Sequence, residues 1–274
     1  PRSTLFPYTT LFRSGPAGFN KLLVLKELRA ELTDDPDFVN MFLDEARLSA
    51  KLQHPAIVHT YDVVQEGEAC YLVMEYLQGQ PLSRVRPLKE WKDFPLGLHL
   101  RCISTVLDAL HHAHELKDYD GLAMNMVHRD VSPQNVFLCY DGQVKLLDFG
   151  VAKARGALSR TETGVVKGKL AYVAPEVMIG EPIDRRADLF GIGVMLWEAL
   201  ARKKISSGRS DIELSGARIS GTDPDLRVAV EGAALELVDV CRKAMAYKPE
   251  HRYQTAAEMK EALDEHIPPT ATQE

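Results

Sequence analysis

The alternation of apolar and polar residues divides the chain into an N-terminal part with mainly strand patterns and a longer part with mainly helix patterns. The N-terminal part holds a short apolar run at 22–26, followed by an amphipathic stretch with an acidic start at 34–52. Two segments rich in β-branched and aromatic residues follow at 56–65 and 69–77, with a turn-forming EGE tripeptide between them. Residues 15–78 are therefore predicted to form strand, helix, strand and strand, a small sheet with one helix.

The pattern becomes helical after the GQP tripeptide at 79–81. A long helix is predicted from Leu96 to Leu116, with an apolar stripe formed by Ile103, Val106, Leu107, Leu110 and Ala113. A DG pair at 141–142 between two apolar runs predicts a β-hairpin, and the polar residues 155–170 predict a loop. Three further helical segments are predicted, at about 186–202, 231–246 and 255–266.

Composition narrows the class of protein. The 274 residues are 45% hydrophobic and 26% charged, which is ordinary for a globular protein, and a net charge of −6 argues against nucleic-acid or anionic-membrane partners. The four cysteines are far apart, which disfavours a zinc site or a disulfide framework and favours a reducing cytosol. No apolar run reaches the roughly 18 residues of a membrane helix. The nearest candidate, 189–201, carries Glu198 and is predicted to be a buried core helix.

A series of short motifs carries the chemistry. They are LVLK at 23–26, Glu45, HRDVSPQN at 128–135, DFG at 148–150 and APE at 174–176. Each alone is weakly specific, but their order and spacing together resemble the signature set of the protein kinases. The resemblance covers about residues 19–267. It is closest to the bacterial members of the eukaryotic-like (Hanks-type) serine/threonine protein kinase family.

The resemblance implies an α+β fold with two lobes, a small β-rich N-lobe and a larger helical C-lobe. It also implies that the HRDVSPQN octapeptide is the catalytic loop and that residues 148–176 are the activation segment. The expected division of the chain is a non-native segment at 1–14, the N-lobe at 15–78, the C-lobe at 79–267 and a linker or tail at 268–274.

The same resemblance assigns roles in phosphoryl transfer from ATP. Lys26 would contact the α- and β-phosphates, and Glu45 would pair with Lys26 and hold it in place. Asp148 would bind Mg²⁺ and Asn135 would hold the second metal position, since Mg²⁺ prefers hard oxygen ligands. Asp130 would orient the substrate hydroxyl and accept its proton.

Other matches concern the adenine site and the link between the lobes. Met74 falls at the gatekeeper position of the family, while Glu75 and Leu77 fall in the hinge whose backbone would meet adenine. His128 and Phe149 match a stacked apolar column that connects the lobes.

Three further positions resemble structural residues of the family. Glu176 is expected to form a buried ion pair with Arg252, and Asp188 is expected to receive backbone hydrogen bonds from the catalytic loop. The histidines at 111, 112 and 114 are expected to be core or solvated residues, because no acidic or cysteine partner has metal-ligand spacing.

Two positions depart from the family pattern near the catalytic aspartate. Ser132 stands where serine/threonine kinases commonly have a lysine that contacts the transferred phosphate. Lys169 stands where they often have a threonine that touches the catalytic aspartate. The catalytic-loop form of the tyrosine kinases is nonetheless absent, so the resemblance still favours serine and threonine substrates.

The third departure is at the N-terminus. Nothing in residues 1–25 matches the G-x-G-x-x-G loop that covers the ATP phosphates in the family. The segment Thr4–Ser14, TLFPYTTLFRS, corresponds codon by codon to the end of a widely used sequencing adapter. We expect it to be translated adapter that replaces the glycine-rich loop, in which case this copy of the kinase would bind ATP poorly and transfer phosphate slowly.

The sequence therefore predicts an ATP- and Mg²⁺-dependent protein serine/threonine kinase in bacterial signalling. Candidate autophosphorylation sites are Ser159, Thr161 and Thr163, for which Arg129 would supply a pairing cation. A homodimer would serve such autophosphorylation. The alternative is a pseudokinase, a scaffold with the same fold and little phosphoryl transfer. The expected location is the cytoplasm, either as a separate protein or as the cytosolic domain of a longer membrane-anchored kinase.

Overall fold

The computed structural model describes residues 8–14, 20–27, 36–67, 69–88, 94–149, 169–222 and 234–268. The strands in these residues are β1 Tyr8–Ser14, β2 Asn20–Glu27, β3 Thr60–Glu66, β4 Ala69–Glu75, β5 Gly79–Pro81, β6 Val136–Cys139 and β7 Val144–Leu146. The α-helices are α1 Pro36–Lys51, α2 Leu82–Leu88, α3 Leu96–His114, α4 Pro175–Ile179, α5 Arg186–Ala201, α6 Asp211–Ile219, α7 Leu235–Ala244 and α8 Ala256–Asp264.

The N-terminal part is an antiparallel sheet with strand order β1-β2-β4-β3 and one helix, α1. Side chains along β4 alternate between buried and half-buried, so that Cys70, Leu72 and Met74 face inward. They pack in one cluster with Phe42 and Ala46 of α1, because an amphipathic helix buries its apolar stripe against the sheet. The predicted order of strand, helix, strand and strand is confirmed.

The opening segment is part of this sheet. Residues Tyr8–Ser14 pair with β2 along their whole length, with Tyr8 opposite Lys26 and Ser14 opposite Asn20. The segment therefore lies in the hairpin position next to the Lys26 strand, where it is expected to replace the glycine-rich loop. Aromatic and β-branched residues favour extended backbone, and a free strand edge accepts any such peptide. The adapter origin of the segment stays a prediction.

The C-terminal part is built around two long helices. The apolar stripe of α3 is buried as predicted, and each of its five residues is 1% exposed or less: Ile103, Val106, Leu107, Leu110 and Ala113. Helix α5 is buried on every side between residues 187 and 200, which confirms the predicted core helix. Its Glu198 accepts hydrogen bonds from the hydroxyl of Tyr172 at 2.9 Å and from the backbone N–H of Ile205 at 3.1 Å.

Besides β1, four short elements were not anticipated: β5 and the helices α2, α4 and α6. β5 pairs with β6 and adds a third strand to the β6–β7 hairpin, which was itself predicted from the DG turn. The start of α6 carries a capping box, in which Ser210 and Glu213 satisfy each other's backbone N–H groups. That S-x-x-E pattern is a sequence signal of a helix start and identifies α6 in retrospect.

In the described residues, no helix combines the length and the apolar character needed to cross a membrane.

Candidate active site

One buried carboxylate fixes the start of the catalytic loop. Asp188, in the first turn of α5, is 1% exposed and accepts hydrogen bonds from the backbone N–H groups of His128 and Arg129, both at 2.8 Å. This confirms the prediction for Asp188. Nε2 of His114 lies 2.8 Å from the same carboxylate, a contact that sequence reasoning did not anticipate. Arg129 has a backbone φ of 64°, a left-handed conformation that the two bonds help to hold in place.

The His128 side chain joins the catalytic loop to the strand that leads to Asp148. Its Nδ1 accepts from the backbone N–H of Asp130 at 3.2 Å, and its Nε2 donates to the carbonyl of Leu147 at 2.8 Å. The ring centroids of His128 and Phe149 are 4.7 Å apart, as the predicted column requires. Burial lowers the pKa of His128, although Asp188 and other nearby acids oppose that shift. The neutral ring can accept and donate at the same time.

The low pKa of His128 makes the fold sensitive to acid. Below the ordinary histidine pKa of about 6.5, the unfolded chain binds a proton at this residue that the folded chain does not, so stability falls as the pH falls. This one residue can contribute at most about 1.4 kcal/mol per pH unit to that loss. We expect urea unfolding between pH 7.5 and 5.5 to show a flatter pH dependence in His128→Gln than in the parent chain. The exposed His251→Gln variant is the control, and an unchanged slope in His128→Gln would contradict this account.

Asn135 closes the catalytic loop. Its side-chain Nδ2 donates to the backbone carbonyl of Asp130 at 2.8 Å, and its backbone N–H donates to the carbonyl of Ser132 at 2.9 Å. Its own carbonyl accepts from the backbone N–H of Leu147 at 2.8 Å. Because the amide nitrogen is used inside the loop, the amide oxygen is the atom that remains for a metal.

An ion pair joins Lys26 of β2 to Asp148, which follows β7. The Lys26 side chain is almost fully buried, and its Nζ lies 3.1 Å from Oδ1 of Asp148. Asp148 has a backbone φ of 45°, a second left-handed residue next to the catalytic loop. Glu45 lies on α1, but its side chain is outside the described part of the structure, so its predicted pairing with Lys26 stays a prediction.

The donors at this position suit the metal that the resemblance implies. A carboxylate from Asp148 and an amide oxygen from Asn135 are hard ligands, and Mg²⁺ usually binds one or two such protein groups together with phosphates and water. The residues present therefore fit Mg²⁺.

The predicted adenine-contacting residues lie at the end of β4. Met74 is buried at 5% exposure, and Leu77 packs at the edge of the same apolar cluster. The side chain of Glu75 accepts from Nζ of Lys145 at 2.9 Å and from the backbone N–H of His59 at 2.8 Å. The ion pair between Glu75 and Lys145 thus joins β4 to β7. The sequence did not predict this pair.

Besides the pair of Lys26 with Asp148, two ion pairs of the activation segment lie in the described residues. Glu176 and Arg252 form a bidentate pair with both N···O distances at 2.7 Å, which confirms the predicted buried pair. At the other pair, Nζ of Lys169 lies 2.7 Å from Oδ2 of Asp130, with side-chain exposures of 20% and 15%. The family resemblance places position 169 beside the catalytic aspartate, but the ion pair itself was not predicted. Residues 150–168, which hold the candidate phosphosites Ser159, Thr161 and Thr163, lie outside the described residues.

Comparisons with known proteins agree with this geometry. The family described as "protein kinase domain" matches residues 13–264. The tyrosine-protein kinase MasK of Myxococcus xanthus is 44% identical over 252 residues, covering 91% of this chain and 39% of its own length. The serine/threonine-protein kinase PknA of Mycobacterium tuberculosis is 34% identical over 246 residues, covering 88% of this chain and 54% of its own.

The chain thus spans about two fifths to one half of the length of these curated relatives. Among solved structures, the PknI kinase domain of Mycobacterium tuberculosis aligns with a TM-score of 0.67 at 23% identity, covering 97% of this chain and 98% of that domain. At this identity the likeness shows the fold alone, and it is the two-lobed fold described above.

Proposed function

Since this chain belongs to the protein kinase domain family, we propose that it transfers the γ-phosphoryl group of ATP to serine and threonine hydroxyls of proteins in bacterial signalling. One observation carries the proposal: hydrogen bonds within the 128–148 region hold Asp130, Asn135 and Asp148 together, and Lys26 reaches Asp148 from the sheet. These are the groups that phosphoryl transfer requires for alignment and charge neutralisation.

The residues divide the work as follows. Lys26 binds the α- and β-phosphates of ATP, and Asp148 and Asn135 hold Mg²⁺. When bound, Mg²⁺ neutralises charge on the phosphates. Asp130 orients the substrate hydroxyl and accepts its proton as the hydroxyl oxygen bonds to the γ-phosphorus. The bond from that phosphorus to the β,γ-bridging oxygen breaks, and ADP leaves.

The choice between serine/threonine and tyrosine hydroxyls rests on the catalytic loop. MasK is called a tyrosine-protein kinase, whereas PknA, PknB and PrkC are called serine/threonine-protein kinases. The VSPQN sequence at 131–135 differs from the catalytic-loop sequence that is typical of tyrosine kinases. We therefore assign serine and threonine, and we place the activity in the cytoplasm, where ATP is available.

Autophosphorylation is part of the proposal. One copy of the chain would phosphorylate Ser159, Thr161 or Thr163 in the activation segment of a second copy. A phosphate there carries close to two negative charges and would pair with Arg129 beside the catalytic aspartate.

The test is phosphate transfer from γ-labelled ATP and Mg²⁺ to a general protein acceptor, followed by acid hydrolysis and phosphoamino-acid separation. We expect label on serine and threonine, and a loss of about 100-fold or more in Asp148→Asn, because the metal ligand is weakened. Label mainly on tyrosine would overturn the assigned acceptor. Equal incorporation in Asp148→Asn would overturn the assigned role. Nucleotide binding without any transfer would instead indicate the scaffold alternative.

A further inference from the structure

We propose that Lys169 is a catalytic residue that supplies, from the activation segment, a positive charge on the transferred phosphoryl group. The inference rests on the proposed phosphoryl transfer and deepens it. It starts from the ion pair between Lys169 and Asp130, whose N···O distance is 2.7 Å.

The catalytic loop itself offers no such charge. Between Asp130 and Asn135 it carries only valine, serine, proline and glutamine. Ser132 is 1% exposed, and in the described part of the chain its hydroxyl has no hydrogen-bond partner. Phosphoryl transfer spreads negative charge over the three oxygens of the moving group, and catalysis depends on fixed positive charges aimed at them. A cation must therefore come from another segment.

The two lysines that are buried in the described residues already have other acidic partners. Lys26 lies 3.1 Å from Asp148, and Lys145 lies 2.9 Å from Glu75. Lys169 differs because its partner is the carboxylate assigned to the attacking hydroxyl. A group at hydrogen-bond distance from that carboxylate is close to where the hydroxyl and the phosphorus must meet.

The chemistry of an ammonium group allows both contacts at once. Lysine has three N–H donors, of which Asp130 takes one and two remain for phosphoryl oxygens. The side chains of Lys169 and Asp130 are both about four fifths buried. This burial strengthens their charge interaction relative to bulk water. The exposed remainder leaves an opening for substrate.

The position of Lys169 is set by the helices of the C-lobe. It directly precedes a 3₁₀ turn, Leu170–Tyr172. Arg218 of α6, which is fully buried, donates to the carbonyls on this turn and just after it, those of Ala171 at 3.0 Å and Val173 at 3.3 Å. The hydroxyl of Tyr172 is bound in turn by Glu198 of α5 at 2.9 Å. The lysine therefore starts from a backbone anchored to rigid elements, as a preorganised catalytic group requires.

The kinetic test compares the full chain with Lys169→Met, Lys169→Arg and the distant surface variant Lys243→Met. We expect Lys169→Met to lower kcat about 10- to 100-fold with KM for ATP within about threefold, because the lost interaction acts on the transferring group. Lys169→Arg keeps the charge and should recover a large part of the rate. Lys243→Met should match the parent, and thermal unfolding of all variants checks that they fold.

A binding measurement tests the same point without turnover. ADP with Mg²⁺ and aluminium fluoride imitates the planar transferring group, and calorimetry gives its affinity separately from that of ADP with Mg²⁺ alone. We expect Lys169→Met to weaken the fluoride complex about 10-fold or more while the affinity for ADP changes less than about twofold. Equal changes in both complexes would overturn the proposal.

The outcomes separate this inference from the proposed function. A parent chain that transfers phosphate while Lys169→Met works equally fast contradicts the role of Lys169 alone. A faster Lys169→Met means that the lysine blocks Asp130 and also overturns the inference. A parent chain that transfers no phosphate to any acceptor contradicts the proposed function itself.

Discussion

Replacing Asp130 with asparagine should slow phosphate transfer by about 100- to 10,000-fold, the usual contribution of a positioned general base. Asparagine is close in size to aspartate but cannot accept the proton of the substrate hydroxyl. The backbone bonds of Asp130, from its N–H to His128 and from Asn135 to its carbonyl, do not depend on the side chain. We expect the catalytic loop to keep its shape and the affinity for ADP to be unchanged.

The measurement is kcat from labelled ATP, with ADP affinity measured alongside. Lys169 pairs with this carboxylate, so the two residues act as one unit. An Asp130→Asn, Lys169→Met double variant should be little slower than Asp130→Asn alone, because effects within one catalytic unit are not additive. Transfer by Asp130→Asn at the parent rate would contradict the assignment of the base.

Replacing Arg252 with methionine should lower the free energy of unfolding by roughly 3–5 kcal/mol, since breaking one side of a buried ion pair leaves an uncompensated charge. Glu176 is 6% exposed and would lose both of its 2.7 Å bonds. The guanidinium also donates to the carbonyls of Ala246 at 2.7 Å and Tyr247 at 3.0 Å, which would lose these bonds. Urea unfolding followed by circular dichroism measures the change.

The control is Arg242→Ala, which removes an ion pair with Asp239 whose side chains are 49% and 59% exposed. It should change the free energy of unfolding by no more than about 1 kcal/mol. A double Arg252→Met, Glu176→Leu variant should be more stable than Arg252→Met alone, because no charge is then left buried. A loss below about 1 kcal/mol in Arg252→Met would show that the pair does not anchor the segment.

Local sequence patterns predicted a helix or strand well where that element buries one face. The periodic stripe of α3 and the alternation along β4 each follow from one buried face, and the structure buries those faces. β5 is only three residues long, too short for a period, and it forms because β6 offers an edge. The opening segment shows the same effect, since pairing with β2 depends on an available edge as well as on its own residues.

The contacts of the candidate site also fall into those that were predicted from the sequence and those that were not. The ion pair of Glu176 with Arg252 and the bonds received by Asp188 came from the family resemblance, and the structure contains them. The pairs of Lys169 with Asp130 and of Lys145 with Glu75 join residues 39 and 70 positions apart. No local pattern indicates such a pair, because either partner alone reads as a solvated charge. Only the folded chain brings them together.

The bonds made by Asp188 also set an order of events during folding. Its partners His128 and Arg129 lie 60 and 59 residues earlier in the chain, and His114 lies 74 earlier. Contacts of such long sequence separation form only after the intervening chain has closed its loops. The two bonds to the backbone of His128 and Arg129 cannot form before Asp188 is present. On the ribosome, the start of the catalytic loop therefore lacks this anchor until the chain has been synthesised as far as α5.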